Sequence, residues 1–145
     1  MNIRRRISSD NPALLALWKR SVTASHTFLT EDDIGHIETD VETVYLPALE
    51  VWACESSEGK LLGFTGLNGT KVEMLFVEPA YRGRGVGSLL LDHVRQQYVT
   101  LSIDVNAQNT QAHGFYLRYG FKEIGRSGTD DAGRPFPLIR MELKE

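Results

Sequence analysis

Arg82-Gly83-Arg84-Gly85-Val86-Gly87 lies between an apolar run, Val72 to Val77, and an amphipathic run, Val86 to Tyr98. This layout is a strand, a glycine-rich turn and a helix N-terminus. The first turn of a helix carries free backbone N–H groups and about half a positive charge. Glycines let that main chain approach a ligand, because no Cβ intervenes. Together these features predict an anion site, most often for phosphate, over residues 82–88. The spacing excludes a Walker A loop, since no Gly-Lys-Ser/Thr follows. It fits the dinucleotide pattern only in a shifted register. Read alone, the hexapeptide also admits a merely flexible loop.

Working outward, Lys71 to Val77 and Leu61 to Leu67 read as strands joined by a hairpin at Asn68-Gly69. Val51 to Glu55 precedes them across a polar turn, which predicts a three-stranded meander. Leu101 to Val105 follows the 86–98 helix. A strand–helix–strand unit crosses over right-handed, so this strand is expected parallel to 71–77. Asn109 to Tyr119 reads as a short helix closed by Gly120, and Phe121–Arg126 and Leu138–Leu143 as the last strands. At the other end, Ile3–Ile7 reads as a strand. Asn11-Pro12 reads as a cap followed by a proline at the first helical position. Thr30 reads as a second cap, with Asp33 in place of the usual Glu, and Pro47 as the end of that helix. The order is β-α-α-β-β-β-α-β-α-β-β: one mixed, mostly antiparallel sheet of about seven strands with a central parallel pair, flanked by about four helices. A crevice where strand pairing changes is a favoured ligand site.

At 145 residues the chain is expected to be one domain. Its net charge of −3 argues against general nucleic-acid binding. Arg4-Arg5-Arg6 is expected on a solvated edge strand. Cys54 is the sole cysteine, which excludes an intrachain disulfide, and its apolar setting is that of a buried small hydrophobe. No apolar stretch reaches membrane-spanning length and no signal peptide is readable, so a cytoplasmic location is expected.

Two spaced motifs then resemble the GNAT superfamily of N-acetyltransferases. The family's acyl-CoA motif, Arg/Gln-x-x-Gly-x-Gly/Ala, reads as Arg82, Gly85 and Gly87, preceded by Val77-Glu78-Pro79. Its second motif reads as Asn109, Ala112, Tyr116 and Gly120-Phe121. Within the family, Ser25-His26-Thr27-Phe28-Leu29 and Asp130 to Leu138 resemble the small bacterial acetyltransferases of the YjaB type. The resemblance covers residues 61–126 well, and the element order fits throughout.

This resemblance implies acetyl-CoA as donor and a primary amine as acceptor, on a protein lysine, an N-terminus or a small molecule. It implies no metal. The main chain of Gly83, Gly85, Val86, Gly87 and Ser88 would cradle the pyrophosphate, with Arg82 and Arg84 adding local charge. Leu75, Phe76 and Val77 would offer freed backbone to the pantetheine arm, with the Leu75 N–H polarising the thioester carbonyl. Asn109 would bond the arm, cap its helix, or both. Tyr116, two turns along the same helix face, would protonate the leaving thiolate.

A base is harder to assign. Family members often hold a Glu where this chain has Lys71, which makes Glu73 the first candidate and His26 the second. Asn106 and Asp104 stand outside them, and a water chain is the alternative. No covalent nucleophile stands out, so direct attack in a ternary complex is expected. A domain that senses acyl-CoA without turnover is the competing reading. The acceptor is expected to be set by residues 24–31 and 127–137. A monomer or homodimer fits equally.

Overall fold

Local chemistry decides where the elements begin. The structure, a computed structural model, describes residues 1–25, 29–130 and 133–144. Strands β1 (Asn2–Arg5), β2 (Glu50–Glu55), β3 (Leu61–Asn68), β4 (Lys71–Val77), β5 (Leu101–Asn106), β6 (Lys122–Ser127) and β7 (Leu138–Leu143) form one sheet. Its order is β1-β2-β3-β4-β5-β7-β6, antiparallel throughout except for the β4–β5 pair. The expected mixed sheet with a central parallel pair is therefore present.

Helix α1 (Asn11–Ser25) starts at Asn11 itself. Asn11 does not cap it: its Oδ1 accepts from Arg6 Nη1 at 3.0 Å. A 3₁₀ turn, Ser8–Asp10, leads in. Asp10 accepts from the Ile7 N–H and from two nitrogens of Arg4. The basic run is thus absorbed within the chain, and Arg5 lies over the Trp52 ring.

Helix α2 (Glu31–Asp40) has the reciprocal cap expected of Thr30: Asp33 N–H donates to Thr30 Oγ1, and Thr30 N–H donates to Asp33 Oδ2. Pro47 does not end this helix. The chain widens into a π turn, Val41–Tyr45, and resumes a helical turn at Leu46–Ala48. That last turn opens afresh at Leu46, so Pro47 falls in first-turn position, where its missing N–H and fixed φ are tolerated.

Helices α3 (Val86–Arg95) and α4 (Thr110–Tyr119) follow the central strands. The apolar spacing that carries the predicted helix to Tyr98 is still there, but α3 stops three residues sooner. The N–H groups of Gln96 and Gln97 tighten onto the carbonyls of His93 and Val94, and Tyr98 donates to Glu50 at 2.8 Å.

The sheet is covered on both sides. Leu14, Leu17, Trp18 and Val22 of α1 pack with Phe64 and Met74 on one face. Leu91 and Val94 of α3 and Tyr116 of α4 pack with Val72, Leu101 and Ile103 on the other. Gly63 lets α3 come close. A Cβ there would lie 2.8 Å from Val86 Cγ1 and 2.9 Å from the Phe76 carbonyl oxygen. The carbonyl belongs to the sheet and cannot swing away, so Gly63→Ala costs about 1–3 kcal/mol as overpacking does. Chemical denaturation reads this as a lower midpoint at unchanged slope.

Candidate active site

The central strand carries the feature that builds the site. β4 pairs with β5 only at Lys71–Ser102 and Val72–Ile103. On its other edge it stays paired to β3 as far as Val77. Beyond Val72 the two parallel strands part, and the β4 main chain loses its partner on that side. Against β3, Gly66 faces Met74 while Leu67 faces Val72, so Glu73 is an extra residue. The bulge breaks the alternation of faces. Val72 packs with α3 and α4, whereas Met74 packs with α1.

A cleft of about 440 Å³ fills the space where the strands part. Leu75, Phe76 and Val77 line it, as do Gly83, Gly85, Val86, Gly87, Ser88, Asn109 and Tyr116. The glycine turn is wound as a cradle. Gly83 and Gly85 sit at φ +75° and +84°, and a Cβ at either would meet no atom of the described residues within 4 Å beyond its chain neighbours. Gly85 is the residue before α3, and its carbonyl accepts from the Leu89 N–H at 2.9 Å. The N–H groups of the first helical turn are left for a ligand. Gly87 serves packing, since a Cβ there would stand 3.2 Å from Phe115 Cζ.

The two arginines of the hexapeptide make contacts within the protein. Arg82 Nη2 donates to the Ser21 carbonyl at 3.0 Å. The Arg84 guanidinium lies 5.1 Å from the centre of the Tyr81 ring. Asn109 is the N-cap of α4, its Oδ1 accepting from the Ala112 N–H at 3.1 Å.

Tyr116 is buried. Its ring is held edge-on by Phe115 and Phe121, with centroids 5.2 Å and 5.3 Å away. Its hydroxyl makes no hydrogen bond among the described residues, and burial raises the phenol above its ordinary pKa. A neutral donor is thus held ready at the cleft wall.

Glu73 lies elsewhere. It lines a second cleft of about 180 Å³ with Tyr45, Lys71, Asp104, Asp130 and Arg134. Lys71 Nζ stands 3.4 Å from Glu73 Oε1 and 3.0 Å from Asp104 Oδ2. Arg134 links the loop before β7 to the end of α2, 3.6 Å from Asp130 and 3.7 Å from Asp40. Glu73 and Tyr116 therefore do not share a cleft. Asn106 ends β5, and its Oδ1 accepts from the Gln108 N–H of the turn that follows. His26 lies outside the described residues. Cys54 is fully buried, and burial raises its thiol pKa, so it offers no nucleophile.

Ser21, Ser25, Tyr81, Phe115 and Arg118 also line the larger cleft. The α1 serines carry no signal in the sequence. Phe115 adjoins a motif tyrosine, and aromatic neighbours on a short helix are a readable sign of packing against a glycine turn.

Comparison with known proteins agrees with this geometry. Residues 25–144 match the model of the acetyltransferase (GNAT) domain. The chain is 38% identical over 141 residues to the peptidyl-lysine N-acetyltransferase YjaB of Salmonella typhimurium, covering 97% of each chain. The solution structure of the apo form of YjaB from Escherichia coli superposes with a TM-score of 0.91 at 38% identity, covering 98% of this chain and 96% of that one. The PaiA N-acetyltransferase from Thermoplasma acidophilum, solved in complex with coenzyme A, shares the fold at 20% identity with a TM-score of 0.75 over the full length of both chains.

Proposed function

The chain belongs to the GNAT family of acetyltransferases, and from that membership we propose that it carries an acetyl group from acetyl-CoA in the larger cleft to a lysine side chain of a peptide or protein. N-acetyl transfer to an amine follows from the family and the relatives. The observation that carries the finer reading is the parting of β4 from β5 after Val72. It leaves unpaired main chain between a phosphate-type cradle and a buried phenol, the three features a phosphorylated thioester needs. The pyrophosphate sits on the N–H groups of residues 83–88. The pantetheine arm pairs with the main chain of Leu75 to Val77, and the Leu75 N–H polarises the carbonyl. Tyr116 donates to the departing sulfur.

The acceptor side chain passes the smaller cleft, which Glu73 lines, and its nitrogen reaches the thioester in the larger one. A lysine ammonium has a pKa near 10.4, so forming the neutral nucleophile at pH 7 costs roughly 4–5 kcal/mol. Glu73, which lines the smaller cleft and is partly open to solvent, is the group we assign to draw that proton away, through water. The amine then attacks the thioester directly in a ternary complex.

The test is release of free thiol from acetyl-CoA with a panel of lysine peptides, spermidine and N-terminal amines, with mass spectrometry of the product. Turnover on internal lysines is expected. Turnover confined to spermidine or to N-terminal amines overturns the acceptor assignment. Glu73→Gln should lower kcat at pH 7 by roughly an order of magnitude, less than the about 10²–10⁴-fold of a base in direct contact, because the proton passes through water. The deficit should close as pH approaches 10, where the free amine forms without help. A deficit constant with pH removes Glu73 as the base.

A further inference from the structure

The connection from β4 into the glycine cradle is tied to α1 at both ends. At its start, Glu78 is buried at 8% exposure and accepts three hydrogen bonds from Arg20. Nε donates at 3.0 Å and 3.2 Å, and Nη2 at 2.6 Å. At its far end, Arg82 Nη2 donates to the Ser21 carbonyl at 3.0 Å and lies 3.5 Å from Ser21 Oγ. Adjacent residues of α1 therefore hold residues 78 and 82, which bracket the 3₁₀ turn Pro79–Tyr81. The helix that provides both anchors is itself fixed, with Leu14, Leu17, Trp18 and Val22 buried against the sheet. The carboxylate keeps the Arg20 guanidinium more firmly protonated than usual, through the same hydrogen bonds.

Past Arg82 the picture changes. Gly83 and Gly85 have positive φ, and beyond their chain neighbours no atom of the described residues lies within 4 Å of where a Cβ would stand. Among the described residues, nothing at those two positions packs the cradle from the ligand side. Its placement is set by α3 behind it and by the α1 anchors before it. A bidentate arginine–carboxylate pair fixes direction as well as distance; here the Glu78 carboxylate is buried while the Arg20 side chain is half exposed, so the pair acts through its geometry. A loop held in its binding geometry loses less freedom when it takes a ligand.

We propose that Arg20 and Glu78, together with the Arg82 guanidinium, are positioning residues for the pyrophosphate cradle. On this reading Arg82 serves the cradle by gripping α1, not by reaching the phosphates, and Arg20 and Glu78 act on the donor without touching it. The inference rests on the assignment of the larger cleft to acetyl-CoA.

The experiment compares two donors: acetyl-CoA, and S-acetylpantetheine, which lacks the pyrophosphate and nucleotide. The parent enzyme should prefer acetyl-CoA strongly. In Glu78→Gln and Arg20→Met, the ratio of kcat/KM for acetyl-CoA to that for S-acetylpantetheine should fall about tenfold. The change should appear in KM for acetyl-CoA, with KM for the amine unmoved. Arg20→Lys keeps a cation beside the buried carboxylate, and so tests the fork geometry in a variant that folds; it should lose part of the ratio. Equal losses with both donors in all three variants mean that the pair merely supports the fold, and overturn the proposal. A parent enzyme that shows no preference between the donors overturns the cleft assignment instead.

Discussion

Tyr116→Phe lowers kcat about a hundredfold, while coenzyme A affinity and melting temperature stay near those of the parent. The ring is what packs: Tyr116 sits at 5% exposure between Phe115 and Phe121, and phenylalanine keeps that shape. The hydroxyl bonds no described residue, so its removal leaves no protein partner stranded. What disappears is the donor assigned to the leaving sulfur. General acids contribute about 10²–10⁴-fold, and a hydrogen bond to a charged group about 1.5–3 kcal/mol. The low end applies here for a physical reason. Burial raises the phenol, while an ordinary thiol titrates near 8.5, so complete transfer to a solvated thiolate runs uphill. Inside the cleft the thiolate is stripped of water as well and becomes more basic, which makes the donated hydrogen bond the main contribution. The sign of the pH dependence follows. A phenol with a raised pKa stays protonated across the assay range, so the loss is the same from pH 7 to pH 9. The Glu73→Gln deficit, by contrast, closes with rising pH. Steady-state kinetics across pH, with calorimetric titration of coenzyme A, separates the two. Parent-like turnover, or lost coenzyme A binding, removes Tyr116 from the assigned role.

The elements legible in the sequence were those set by neighbours along the chain. The cap at Thr30, the positive-φ ending at Gly120 and the strand at Lys71–Val77 all depend on local chemistry, and so does the crossover that makes β4 and β5 parallel. The cradle glycines were readable because only glycine is at ease at φ +75° and +84°. What escaped depends on distant partners. The bulge at Glu73 exists because of how β3 pairs across it, and a two-residue period cannot announce the place where it fails. Arg20 and Glu78 are 58 positions apart, and an acid beside Pro79 carries no sign of its arginine. The motif located the main chain of Arg82 but not its guanidinium, which turns to α1.

Gly85→Val weakens coenzyme A binding more than a hundredfold, a loss of about 2.7 kcal/mol or more, in a protein that still folds. Gly85 stands at φ +84°, ψ 7° as the residue before α3. A β-branched residue is strained there by roughly 1–2 kcal/mol, a few degrees of melting temperature in a chain of this size. Beyond the chain neighbours, no atom of the described residues lies within 4 Å of the new Cβ, so strain is the main structural cost. The added methyls stand on a residue that lines the larger cleft, where a phosphate must approach main-chain N–H groups to hydrogen-bond distance. Gly85→Ala divides the two effects: it carries most of the strain and less of the bulk, so its melting temperature falls nearly as far while its affinity falls less. Gly87 would be a poorer test, because a Cβ there already stands 3.2 Å from the Phe115 ring and would disturb α4 along with the ligand. Calorimetric titration of both Gly85 variants with coenzyme A, beside their melting curves, decides the matter. If Gly85→Val melts lower yet binds coenzyme A as the parent does, the cradle does not hold the pyrophosphate, and the donor must be sought elsewhere along the parted strands.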